Sequence, residues 1–246
     1  MRALPRLLRR SQQSRHLRYT LAAMSLNVYD NIAHAWDYVE NQAIRQETAG
    51  EKNARQRLKD AGFRPGFAAQ AEFIAHMALA VRAQSVILLG GAQIIEAMHL
   101  THTLGSEGQV TIIDTSAQAT ALATTIFKSV EEESTVRVRI VNASGDSYLP
   151  RLNSMDYDMI VAAGDPANYR TAYNSAERLL RRGGELVFSD ALGFLNADSK
   201  GGVTNPADRS DKATYLRELD KQLRDDDRFS STLISIGTGL SLNVLQ

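Results

Sequence analysis

The sequence predicts an α/β fold with a seven-stranded, mostly parallel sheet, an antiparallel hairpin at its C-terminal end and helices ahead of the first strand. Three observations carry this. From Val86 onward, short β-branched runs alternate with helix-like stretches, and apolar strands alternating with helices form parallel sheets covered on both faces. The last two strand-like runs are separated only by Gly237-Thr238-Gly239, a hairpin signal too short for a crossover helix. Before Val86 the apolar spacing is helical.

In chain order, Val28, Ile32, Ala35, Trp36, Val39 and Ala43 recur at helical spacing and predict a helix from Leu26 to about Thr48. Trp36 on it reads as a core or interface anchor. A polar helix follows over 51–61, ended by Gly62 and Pro65-Gly66. A third spans 68–81, with Phe73, Ile74, Met77 and Ala78 on one face. Strands are predicted at Val86–Leu89, Val110–Ile113, Val136–Val141, Tyr157–Val161 and Glu185–Phe188, then Phe229–Ile236 and Leu240–Leu245. Right-handed crossovers leave few topologies for the parallel part. Residues 193–209, rich in Gly, Asn, Asp and Ser, read as a mobile loop walling an acceptor pocket. The expected division is a basic tail over 1–23, a helical region over 24–82 and the sheet domain over 83–246.

Composition narrows the function classes. A 246-residue chain with no Cys has no disulfide framework, thiol nucleophile or Cys-based zinc site. No apolar run reaches the roughly 18 residues that span a bilayer, so a cytoplasmic protein without a membrane partner is expected. The formal net charge is zero, with 28 basic and 28 acidic residues, which speaks against nucleic acid as a partner. That balance hides an asymmetry, because six arginines and no acid lie in residues 1–23. Such a segment reads as an unstructured tail or as sequence upstream of a natural start at Met24. A nucleic-acid arm, a membrane-surface helix and a transit-like segment are the alternatives.

The chemistry is expected at the carboxyl ends of the strands, near the point where strand order reverses. There the sequence runs Val86-Ile87-Leu88-Leu89-Gly90-Gly91-Ala92-Gln93-Ile94. It resembles the V-L-E-I-G-x-G-x-G of S-adenosylmethionine-dependent O-methyltransferases of the catechol and caffeoyl-CoA type. Three further stretches are similar to that family, in order and at matching spacing: Tyr157–Tyr169 (YDMIVAAGDPANY), Leu179–Asp190 (LLRRGGELVFSD) and the tail from Asp227-Arg228-Phe229 to Gly237-Thr238-Gly239-Leu240. The resemblance covers roughly residues 68–246. It implies a Rossmann-like class I methyltransferase fold, S-adenosylmethionine as cofactor, a small-molecule acceptor and a homodimer.

Carried over residue by residue, the resemblance assigns the cofactor to Gly90, Gly91, Ala92, Asp114 with Thr115, and Ser144. Asp114 ends the second strand 24 residues after Gly90, and an acid about 20 residues beyond a glycine turn accepts from ribose hydroxyls. In the Asn142-Ala143-Ser144-Gly145-Asp146 stretch, either Ser144 or Asp146 takes the acid's place near the adenine. Ala92 stands where the family has its second glycine, and alanine resists positive φ. Ile94 and Leu88 replace the third glycine and the acid.

At the reaction centre the family's metal-dependent members use two Asp and an Asn to hold a divalent cation, with a lysine beside them. Ala163 takes the place of the first Asp, Pro166 of the lysine and Ala191 of the Asn. Asp190 alone is retained, with Asp165 nearby, so no metal site is expected and Asp165 and Asp190 are the candidate bases. His34, His76, His99 and His102 are candidates to replace the lost base; His99 and His102 stand three apart, as helix neighbours do, but lack a third ligand, and surface or packing roles are the expected reading. One expected function is metal-independent methyl transfer to a small-molecule hydroxyl. The alternative is a catalytically inactive member of the fold, acting as a ligand-binding or dimeric interaction module, which the lost Asp, Asn and Lys and the altered glycine loop favour. A nicotinamide oxidoreductase ranks behind both, for lack of G-x-G-x-x-G.

Overall fold

The computed structural model describes residues 31, 33–130, 134–195 and 198–246. The basic segment 1–23 lies outside them, as does the start of the first predicted helix. The chain divides into two compact units, Met1–Gln42 and Ala43–Gln246. In the first, residues 33–42 are helical, with Tyr38 and Val39 exposed and Trp36 half-buried.

The second unit runs α1 (Ala49–Asp60), α2 (Ala68–Ala80), β1 (Ser85–Leu89), α3 (Ile94–Thr103), β2 (Gln109–Asp114), α4 (Ala117–Val130), β3 (Arg137–Asn142), α5 (Gly145–Tyr148), β4 (Tyr157–Ala162), α6 (Pro166–Leu179), β5 (Leu180–Ser189), α7 (Asp211–Arg224), β6 (Phe229–Ile234) and β7 (Leu240–Leu245). Helix α1 starts where a capping box ends the preceding chain. Glu51 N donates to Thr48 Oγ1 at 3.2 Å, and Thr48 N donates back to Glu51 Oε2 at 2.6 Å.

The strands form one seven-stranded sheet in the order β3-β2-β1-β4-β5-β7-β6. Its first five are parallel, and β7 runs antiparallel between β5 and β6. Alternate residues of the buried strands feed two cores. Val86, Leu88, Met159 and Val161 pack under α1 to α4, whereas Ile87, Leu89, Ile160 and Ala162 pack under α6 and α7. Because both faces are covered, these strands read as unbroken apolar runs. Strand β5 begins five residues earlier than its sequence suggests, at Leu180. A register shift opposite Tyr157 and Met159 absorbs Arg181-Arg182-Gly183-Gly184 before regular pairing starts at Glu185.

The stretch predicted as a mobile loop is held at two points over its described residues. Asp208 accepts from the backbone N–H groups of Lys200, Gly202 and Ser210 at 2.6 to 3.0 Å. From α7, the Arg217 guanidinium reaches the carbonyls of Gly202, Val203, Asn205 and Asp208. These bonds fix the chain that leads into α7.

Candidate functional site

A cavity of about 610 Å³ opens at the carboxyl ends of β1, β2, β4 and β5. That size suits a drug- or cofactor-sized ligand. It sits where the sheet order turns from β1 to β4, the topological switch point of an open α/β sheet.

One wall is the turn between β1 and α3, where Gly90, Gly91 and Ala92 take φ of 71°, 70° and 48° in succession. Ala92 thus adopts the conformation its side chain disfavours. Its N–H donates to Asp114 Oδ2 at 3.0 Å, and its carbonyl accepts from Ile94 N. Gly90 is required by the neighbouring turn as much as by any ligand: a Cβ there would lie 1.9 Å from Asn168 Nδ2 and 2.8 Å from Ala163 O. Asn168 in turn donates to Ala163 O at 2.9 Å, so the turns after β1 and β4 interlock.

Asp114 braces the same wall. Its second oxygen, Oδ1, accepts from Ser116 N at 2.7 Å, and a carboxylate with two bonds has acceptor capacity left for a hydroxyl. Thr115 lines the cavity beside it. Gln93, also in the lining, donates its amide to the carbonyls of Leu89, Gly90 and Val161. Its Oε1 is buried without a partner, an acceptor available to a ligand donor. Ser144 is not in the lining. It caps α5 by accepting from Ser147 N at 3.3 Å, while Asp146 pairs with Thr171 Oγ1.

Asp190 and Asp165 both line the cavity but in different states. Asp190 is buried at φ 55°. It accepts from Phe194 N and Leu195 N and pairs with Lys212 Nζ at 2.6 Å. Asp165 is exposed at the start of α6 and makes no side-chain cap bond.

Several polar residues of the lining had no part in the sequence-based set, and three of them are buried and charged or bonded to such a group. Gln70 bridges Ser189 Oγ at 2.8 Å and Glu96 Oε1 at 3.5 Å. Glu96 is buried, and burial holds its carboxyl above the usual range. Lys212 is the third. On α7 it leads the buried stripe Lys212, Leu216, Leu219, Leu223, and a charged residue on such a stripe was the available signal. The histidine pair lies elsewhere: His99 and His102 approach Glu51 Oε1 at 3.6 and 3.4 Å and link α3 to α1. Burial lowers the His99 pKa. His76 meets the carbonyl of Glu72, and His34 is exposed.

A divalent cation does not fit this site. Ala163 and Ala191 offer no side-chain donor, and the Asp190 carboxylate is already held by an ammonium and two backbone N–H groups. Among the described residues no cluster of three or more His, Asp or Glu side chains could hold an ion.

A family model described as O-methyltransferase matches residues 54–245. The chain belongs to the O-methyltransferase family. An inferred O-methyltransferase of Mycobacteroides abscessus is 26% identical over 187 residues, covering 76% of this chain and 84% of that protein. The catechol O-methyltransferase domain-containing protein 1 of Mus musculus is 26% identical over 175 residues, covering 70% and 64%. Among solved structures, a Bacillus cereus O-methyltransferase in complex with S-adenosylhomocysteine superposes with a TM-score of 0.72 at 17% identity, covering 87% of this chain and 97% of its own. The O-methyltransferase TomG of Streptomyces achromogenes, involved in tomaymycin synthesis and in complex with S-adenosylmethionine, gives 0.71 at 18% identity, with 87% and 98% covered. The expected family and the Rossmann-like methyltransferase fold are both borne out. No helix of the described residues is long and apolar enough to cross a membrane.

Proposed function

We propose that this protein transfers a methyl group from S-adenosylmethionine to a hydroxyl oxygen of a small molecule without a divalent metal ion. The observation that carries the reading is a single cavity at the switch point that joins the left-handed Gly90-Gly91-Ala92 turn to Asp114. Family membership, and relatives with the cofactor or its product bound, support catalysis over a binding module that has lost it.

In this reading Asp114 accepts from the ribose hydroxyls, the turn and Thr115 pass close to the rest of the cofactor, and Gln93 Oε1 accepts from one of its donors. Ser144 keeps only its capping role. When bound, the cofactor supplies a sulfonium-activated methyl carbon, which the acceptor oxygen attacks as the C–S electron pair returns to sulfur. Alignment of the two reactants contributes much of the acceleration, on the order of 7 kcal/mol or more. Asp190 acts by position, since its oxygens are occupied, and the departing proton leaves to solvent at the cavity mouth beside exposed Asp165. A second copy of this chain is the partner we expect, and light scattering on the purified protein tests it.

Calorimetric titration with S-adenosylhomocysteine tests the cofactor reading. Saturable micromolar binding is expected, weakened about tenfold or more by Asp114→Ala through loss of charge-assisted hydrogen bonds. No heat at millimolar ligand overturns it.

A further inference from the structure

We propose that Lys212 holds the acceptor oxygen as an oxyanion, so that an acidic hydroxyl is methylated without a neighbouring second oxygen to chelate an ion. This rests on reading the cavity as a methyl-transfer site.

Packing alone does not account for Lys212. Its side chain is only 7% exposed, although an apolar residue of similar length would continue the stripe at no desolvation cost. It occupies the second position of α7, where the positive end of the helix dipole disfavours a cation. Its partner Asp190 is held in a left-handed conformation uncommon for a residue with a side chain. A strained backbone at a residue that lines a cavity, paired with a buried cation, points to use there. The pair stands between the turns after β4 and β5, against the ring of Tyr169, which lies 5.6 Å from Nζ and is fixed by a 2.9 Å bond from its hydroxyl to Ser189 O.

An ammonium has three donors. One meets Asp190 Oδ2, and among the described residues Lys212 makes no other hydrogen bond. Two donors therefore remain beside the cavity. The other titratable groups around it are Tyr169 beneath and Asp165, Asp198 and Asp211, which share a second recess with Lys212. In this arrangement Lys212 acts as a hydrogen-bond donor to the oxyanion and is not the group that receives the proton. The acceptor O–H bond breaks, its proton passes to water at the mouth near Asp165, and the oxygen lone pair stays on the ammonium until it forms the bond to the donor methyl. A nearby cation favours the ionised form of a hydroxyl, and the Asp190 carboxylate offsets part of that effect, so the acceptor must itself be acidic: a phenol or enol and not an aliphatic alcohol.

The probe is 4-nitrophenol, whose anion alone absorbs visible light and which has no second hydroxyl. It is titrated with pH against protein saturated with S-adenosylhomocysteine. Wild type is expected to bind the anion and lower the apparent pKa of the probe, with or without chelator. In Lys212→Met, and in the double variant Lys212→Met/Asp190→Asn, which leaves no unpaired buried carboxylate, anion affinity should fall about tenfold or more. Lys212→Arg should keep most of it. Absent binding, binding of the neutral phenol, or an unchanged shift in both methionine variants overturns the proposal. Retained binding of S-adenosylhomocysteine in those experiments leaves the cofactor reading standing, and its absence from wild type defeats that reading instead.

Discussion

Gly90 and Glu185 carry opposite lessons about single residues. A side chain at Gly90 meets Asn168 and the Ala163 carbonyl and adopts a left-handed conformation as well. Gly90→Ala should therefore destabilise the protein by about 2–4 kcal/mol in denaturant titration. The left-handed turn at Gly90-Gly91 and the place of Asp114 at the end of β2 were legible because backbone conformation and strand-end position act over a few residues of chain. Ser144 joined them by resemblance alone, yet a Ser before Gly145-Asp146 is also an ordinary N-cap, and local sequence does not separate the two roles. Glu185 is wholly buried in β5 with both oxygens unpartnered, and burial pushes its carboxyl up to about 7. The folded state thus holds this proton more tightly than the unfolded chain, whose value is near 4.5. The stability present below that value is lost as pH rises toward about 7 and then levels. Glu185→Gln should remove this pH dependence and unfold later than wild type at pH 8, by about 1–3 kcal/mol; an unchanged profile in thermal melts counts against it.

At the scale of elements, the periodic helices and apolar strands were readable because each buries a face set by its own repeat. The early start of β5 was not, since Arg181-Arg182-Gly183-Gly184 has no strand pattern and pairs only through a register shift against β4. Neither was the order of residues 198–210. Gly, Asn and Asp suggest mobility, but one of the segment's two constraints comes from Arg217, seven or more residues further along the chain. Arg217→Ala should free this segment, raising its amide exchange and protease cleavage while the sheet stays protected. Cleavage no faster than in wild type contradicts the constraint. Because α7 carries both Arg217 and Lys212, the variant should also weaken the cavity wall.

For the whole molecule, the site is a product of topology. The turns after β1, β2, β4 and β5 meet because the sheet order reverses between β1 and β4, and α7 returns Lys212 to Asp190 across 22 residues of chain. Gln70, Glu96 and Lys212 escaped the sequence for that reason: what makes each of them notable is a partner distant in the chain. In the proposed mechanism the Lys212 ammonium, and not a metal ion, stands against Asp190. Formation of S-adenosylhomocysteine from S-adenosylmethionine over a panel of phenols, measured with chelator and with added magnesium, tests this most directly. The account predicts turnover at equal rates in both conditions; turnover only with magnesium, or none with any phenol, contradicts it.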